Sequence, residues 1–320
     1  MVNLFFIACF LVCIQLSSFE KVVIWGHKLH SHTHSYIHNA FFRAFQEMGY
    51  ETYWLDDSDN VKDIDFSNSL FLTEGQVDKN IPLRDDCRYI LHNCHALKYM
   101  PYYDNKKAFS LQVYTDGVFS NPYNKKIEPC IYFNLEAKCV FMPWATDLLP
   151  GEIEEIKRRI PFEKKNNTIL WIGTLGDGEF GNMSEVAPFK KAAESKGIKF
   201  RRSVFLDVED HANRILHSYM APAIVGAWQK KQGYIPCRIF KNISYGQMGV
   251  TNSLRVYELF EKKIVYNPDT AQLFFDADEK IKNMNLEDLY ELIDFVKTKH
   301  TYINRIQTLL DFLKLVENQE

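Results

Sequence analysis

The sequence predicts an α/β protein of two domains, and three observations carry that expectation. The order strand, glycine-bearing loop, helix, strand opens the chain and starts again after Asn167, as expected of two βαβ-type units. A proline-bounded segment and a polar run separate the halves. With 320 residues, the chain is long enough for two domains of ordinary size, each burying its own core.

In the first half, residues 22–25 form a compact apolar run closed by Gly26. After a polar loop, Ile37, Ala40, Phe41, Ala44, Phe45 and Met48 recur at helical spacing, which predicts a helix over 36–48 ended by Gly49. Residues 50–55 then alternate toward Asp56 and Asp57 as a second strand, and short strands are expected at 69–73, 88–92, 108–114, 131–133 and 139–142. The break is the segment PWATDLLP at 143–150, followed by a charged helix over 151–159 and the run Lys164-Lys165-Asn166-Asn167. The expected domains are therefore 20–150 and 160–320. The second half restarts with a strand over 168–173, a helix over 185–196 and a strand over 198–201. Helices at 210–220 and 238–245 then alternate with strands at 223–225 and 248–251, and helical stretches at 253–262 and 286–317 close the chain. No array-type repeat of roughly 20–50 residues is present.

Apolar residues make up 46% of the chain and charged residues 25%, the composition of a folded globular protein. A net charge of −3 and a pI near 6.4 provide no basic field for a polyphosphate backbone, which excludes nucleic acid as a general partner. Any anion site must be local. Residues 4–16, LFFIACFLVCIQL, have the length of a signal-peptide core and fall short of the roughly 20 apolar residues of a membrane span. They predict a secretory leader or short signal anchor within 1–18, hence membrane proximity and a secretory-pathway or membrane-associated setting. The competing reading, a buried first strand or core helix, corresponds to a cytoplasmic protein. Asn-x-Ser/Thr acceptors at Asn166, Asn182 and Asn242 are compatible with secretion. Beyond the leader, Cys87, Cys94, Cys130, Cys139 and Cys237 are odd in number and lack zinc-type spacing, so free thiols are expected.

Three segments carry candidate chemistry. His27, His30, His32, His34 and His38 follow the first strand, and ligands of open α/β sheets bind beyond the carboxyl ends of strands. Either neutral imidazoles line a cleft as general base and sugar contacts, or alternate residues such as His30, His32 and His34 ligate a metal as in a hydrolase barrel. A solvated loop capped onto the helix by Ser35 is the bland alternative. The second segment, GTLGDG at 173–178, lies between a strand and a helix, where glycines let backbone N–H groups approach a phosphate; it lacks the P-loop lysine, and a plain turn explains it equally well. In the third, Pro236 suits a first helical turn, and Arg238, Lys241 and Asn242 follow on that helix. A cationic pair beside a helix start matches the needs of a diphosphate leaving group; a solvated basic face is the alternative.

On these residues the second half resembles the donor domain of B-type glycosyltransferases, whose strand-helix-strand element against the nucleotide sugar looks like PCRIFKNISYGQMGVTN. The opening WGHKLHSHTHSYIHNAFFRAFQEMGYETYWLDD is similar to a group of uncharacterised, largely viral and microbial glycosyltransferase-like proteins. The resemblance implies two Rossmann-like domains facing a cleft, the first on the acceptor side and the second holding a nucleotide-diphospho-sugar. It implies transfer of a sugar to a hydroxyl of a glycan or polysaccharide, with His32 and His34 as catalytic candidates and His27 and His30 on the acceptor side. Thr174, Gly176, Arg238, Lys241, Asn242 and Glu258 are the expected donor contacts. Many retaining members carry an acidic residue with an Arg/Lys pair in this element; here Arg238 stands at the acidic position, and Glu258 is the next carboxylate. No cofactor and no donor metal are expected, since no DxD-type motif stands in the second half. A metal-dependent hydrolase and a catalytically silent glycan-binding protein are the rival readings.

Overall fold

The computed structural model describes residues 19–28, 33–74, 80–92, 108–114, 123–161, 166–203 and 208–318, so the leader segment, His30, His32 and Cys94 lie outside the described residues. The first half contains β1 (Lys21–Trp25), α1 (Thr33–Glu47), β2 (Glu51–Leu55), β3 (Ser69–Thr73), β4 (Arg88–His92), β5 (Ala108–Gln112), β6 (Lys125–Glu128), β7 (Ile131–Asn134) and β8 (Cys139–Phe141). These strands form one open sheet in the order β2-β1-β3-β4-β5-β8-β7-β6, parallel as far as β8, with β7 and β6 antiparallel at the edge. Strand alternation feeds two cores: Val22 and Ile24 point to the face covered by α1, while Val23 and Trp25 join Phe71 and Tyr89 on the other. An open sheet is not the barrel that the hydrolase reading requires. Strand β6 escapes sequence reading because KKIE is exposed throughout, so backbone pairing alone makes it a strand.

The second half contains α2 (Pro150–Arg159), β9 (Thr168–Ile172), α3 (Met183–Ser195), β10 (Lys199–Ser203), α4 (Val208–Leu216), α5 (Ala227–Lys231), α6 (Cys237–Ser244), β11 (Val250–Thr251), α7 (Leu254–Leu259), β12 (Val265–Tyr266), α8 (Thr270–Lys282), α9 (Leu286–Lys299) and α10 (Tyr302–Glu317). Two parallel pairs, β9 with β10 and β11 with β12, are joined by the run that includes Tyr219 and Ala223, whose amides donate to Thr168 at 2.9 Å and Val250 at 2.8 Å. The strand expected at 223–225 reduces to a bridge between Ala223 and Thr251. The reason is local: the amide and carbonyl of Val225 bond the side chain of Asn252 at 2.9 and 3.0 Å, not a strand neighbour.

The stretch expected as one helix over 286–317 breaks at His300, and Thr301 caps α10 through the amide of Asn304 at 3.4 Å. Although α10 ends the second half of the chain, its buried face packs in the first core, where Phe312 meets Phe109 and Phe133 at ring distances of 5.1 and 4.7 Å. The chain therefore crosses twice between halves. At the crossing, Thr146 bridges Thr301, and the buried Arg305 donates from Nε to the Pro143 carbonyl at 2.8 Å. Cys87, Cys130, Cys139 and Cys237 are free thiols. Among the described residues, no helix is long and apolar enough to cross a membrane.

Candidate functional site

A cavity of about 220 Å³ opens between the halves, lined by Tyr36 and Ile37 of α1, Asp147 of the crossing segment, and Thr174, His211, Arg238 and Lys241 of the second half. Arg238 is held by the end of β9. Its Nε and Nη2 donate to the Ile172 carbonyl at 3.3 and 3.0 Å, and the guanidinium lies 4.0 Å from the Trp171 ring centre. Gly173 makes room for this seat: at φ +119 it favours glycine, and a Cβ there would lie 2.6 Å from Arg238 Nη2. Nη1 has no acceptor among the described residues. Burial draws the Arg238 pKa below its ordinary value, yet a guanidinium keeps its charge at neutral pH.

Lys241 is differently placed. Its ammonium pairs with Asp147 at 2.7 Å, lies 3.3 Å from His211 Nδ1 and sits 5.0 Å from the Tyr36 ring centre. Tyr245 donates its hydroxyl to the other Asp147 oxygen. An ammonium only donates, so His211 Nδ1 accepts and its proton resides on Nε2. Burial, with the Lys241 charge beside it, holds His211 well below the usual histidine range and therefore neutral. Asp147 thus offsets Lys241, and Arg238 is the cavity's uncompensated cation among the described residues that line it.

This buried pair makes a stability prediction. Burial acts to raise the Asp147 pKa, but the charge of Lys241 and the hydrogen bonds from Lys241 and Tyr245 bring it below the ordinary 3.8. A folded pKa below the unfolded one means stabilisation that is complete above about 4 and lost as pH falls through the folded value. Asp147→Asn, which strands a buried ammonium, should cost roughly 3–5 kcal/mol at pH 7 in urea unfolding. The gap to the native protein should close in acid, and a gap that persists unchanged below the folded pKa would refute the assignment.

The other expected donor residues separate by geometry. Thr174 lines the cavity. Gly176 instead closes the start of α3: its amide donates to Asn182 Oδ1 at 3.2 Å, and its carbonyl accepts the Asn182 and Met183 amides at 2.9 Å each. Asn242 lines the cavity while its amide group fastens α6 to the Ala221 carbonyl at 2.8 Å. Glu258 is exposed on α7 and does not line the cavity. Of the three glycosylation acceptors, Asn166 is exposed, Asn182 faces the cavity and Asn242 is buried, so only Asn166 is presented for modification on the folded chain.

A second cluster gathers at the carboxyl ends of β1, β3 and β4. Nε2 of His27 and Nδ1 of His34 face the two oxygens of Glu74, the latter at 3.0 Å. Behind them, His38 donates from Nδ1 to the Gly26 carbonyl at 2.7 Å, and its Nε2 lies 2.7 Å from His92 Nε2. Because a carbonyl only accepts, His38 Nε2 is the acceptor and His92 Nε2 the donor. Burial draws His38 down to about 3 and His92 well below its usual range, so both rings are neutral. Burial acts to raise Glu74, but its hydrogen bonds with His27 and His34 outweigh this and hold the carboxyl below the usual range. Sequence reasoning singled out His27 and His34, offered His92 as a possible further ligand of the metal reading, and missed Glu74, Asp147 and His211. The available signal for Glu74 and His92 was their place at strand ends; Asp147 and His211 had none.

Solved structures match this architecture end to end. An α-glucosyltransferase (AGT) in complex with UDP superposes at TM-score 0.59 with 10% identity, over 92% of this chain and 99% of that one. The α,α-trehalose 6-phosphate synthase of Burkholderia multivorans superposes at 0.52 with 11% identity, over 95% of this chain and 100% of that one. The fold is that of the B-type glycosyltransferases. In this B-type fold, the cavity with Arg238 and the His27–His34–Glu74 cluster lie at the carboxyl ends of strands in the two halves of the chain. No protein-family model matches the sequence, and no curated protein does.

Proposed function

We propose that the protein is a glycosyltransferase that moves a sugar from a nucleotide-diphospho-sugar to a hydroxyl of a glycan or polysaccharide. The observation that supports this most is the interdomain cavity, where Arg238 offers an uncompensated, aromatic-backed guanidinium beside Thr174. In the reaction, the bond between the sugar's anomeric carbon and the diphosphate oxygen breaks, and the diphosphate leaves with the electron pair. The acceptor oxygen bonds to that carbon and loses its proton at the His27–His34–Glu74 cluster. Arg238 offsets the negative charge that grows on the leaving group, and a bidentate guanidinium suits two phosphate oxygens. The UDP bound by the similar α-glucosyltransferase makes a uridine nucleotide the first donor to try. The apolar segment at 4–16 supports a secretory or membrane-associated setting for this transfer.

Thermal unfolding in the presence of nucleotide sugars tests the proposal. A donor at 100 times its dissociation constant adds about 2.7 kcal/mol to stability, which appears as a rise in melting temperature of several degrees or less for a chain of this size. A stabilising nucleotide sugar that is also slowly hydrolysed indicates a transferase, while stabilisation with no turnover in water or to any acceptor indicates a silent binder. No shift with any nucleoside diphosphate or nucleotide sugar would remove the donor site.

A further inference from the structure

We propose that His27, His34 and Glu74 form a binding site for one divalent transition-metal ion of the zinc class. Their ligand atoms lie within 4.8 Å of one another, and the side chains retain only 3%, 13% and 8% of their exposure. Two imidazole nitrogens and a carboxylate are the donor set that zinc accepts, at about 2.0–2.2 Å from each, so three ligands gather within a few ångströms.

An imidazole lone pair and a carboxylate oxygen repel unless a cation stands between them, and here two imidazoles meet the two oxygens of one carboxylate. With protons as the bridges, two neutral rings with centres 5.2 Å apart each commit their single N–H to the same carboxylate. One divalent ion satisfies all three ligands at once.

The surroundings are built to present these ligands. His27 is held at φ 54, in the left-handed region that a non-glycine residue adopts at a cost, directly after Gly26 at φ 93. The Gly26 carbonyl accepts two side-chain bonds, from His38 Nδ1 at 2.7 Å and Trp54 Nε1 at 2.9 Å, which lock the turn that aims His27 at Glu74. Three protein ligands leave a coordination position for an outside oxygen. Resting on the transfer reading, that position would receive the acceptor hydroxyl and favour loss of its proton, which passes to the Glu74 oxygen that does not bind the ion. The site lies in the first half, away from the donor element, so it differs from a metal bridging the diphosphate.

The experiment uses the full chain, stripped by a chelator and titrated with Zn²⁺ against a chromophoric competitor, with Co²⁺ absorption as a second readout. One equivalent should bind at micromolar affinity or better, and Glu74→Gln and His34→Ala should each weaken binding by about 100-fold, as losing one of three direct ligands does at least what losing an outer support does. His217→Ala, an exposed histidine outside the cluster, should bind as the native chain does. Absence of stoichiometric binding by the folded native protein, or native affinity retained in both cluster variants, would overturn the site. Nucleoside-diphosphate affinity measured on the stripped protein reports on the donor site alone, so failure of the metal site and failure of the transferase reading are distinguishable.

Discussion

Arg238→Ala is expected to weaken nucleoside-diphosphate binding strongly and to lower transfer by roughly 10²–10³ beyond the loss of affinity, the effect of removing one preorganised donor from a developing negative charge. The charge on the leaving diphosphate is larger in the transition state than in the ground state, so turnover must fall together with affinity. Lys241 cannot substitute, because Asp147 already holds its ammonium at 2.7 Å. Arg238→Lys should not restore function either. A lysine presents a point charge, whereas the guanidinium stacks on Trp171 and is anchored through two of its nitrogens to Ile172. Calorimetry with a nucleoside diphosphate, beside steady-state transfer rates, reads both effects. Unchanged affinity and rate in a folded Arg238→Ala variant would show that the cavity does not hold the donor diphosphate.

His34→Ala should behave in the opposite sense: transfer falls by roughly 10²–10⁴, the range for losing proton transfer, while nucleoside-diphosphate affinity stays within about twofold. The separation follows from position, since His34 lies in the first turn of α1 in the first half and faces Glu74, whereas the proposed donor contacts come from the end of β9 and from α6 in the second. The melting temperature should change little, because His34 is at the margin of the core and truncation leaves Glu74 still bonded to His27. Full turnover in His34→Ala would detach the cluster from the reaction. A loss of diphosphate affinity equal to that of Arg238→Ala would mean that the variant disturbs the whole cleft.

The sequence by itself determined the strands of the first sheet, since five-residue apolar runs such as SLFLT and RYILH announce themselves by β-branched and aromatic content between turn residues. It determined the helix after the histidine loop by its apolar spacing, the restart of the α/β order after Asn167, and the resemblance of the 236–252 element to a donor domain. Those are local properties, readable wherever side-chain period and turn chemistry agree. What only the tertiary structure decided depends on residues distant in the chain. Arg238 and Lys241 look equivalent in sequence, yet Asp147, far upstream, neutralises one and leaves the other open to the cavity. Glu74 reads as an ordinary loop carboxylate until the parallel pairing of β1 with β3 sets it against His27. The last helix belongs by chain order to the second half, but the apolar face of α10 finds its complement in the first core, because burial is indifferent to sequence separation.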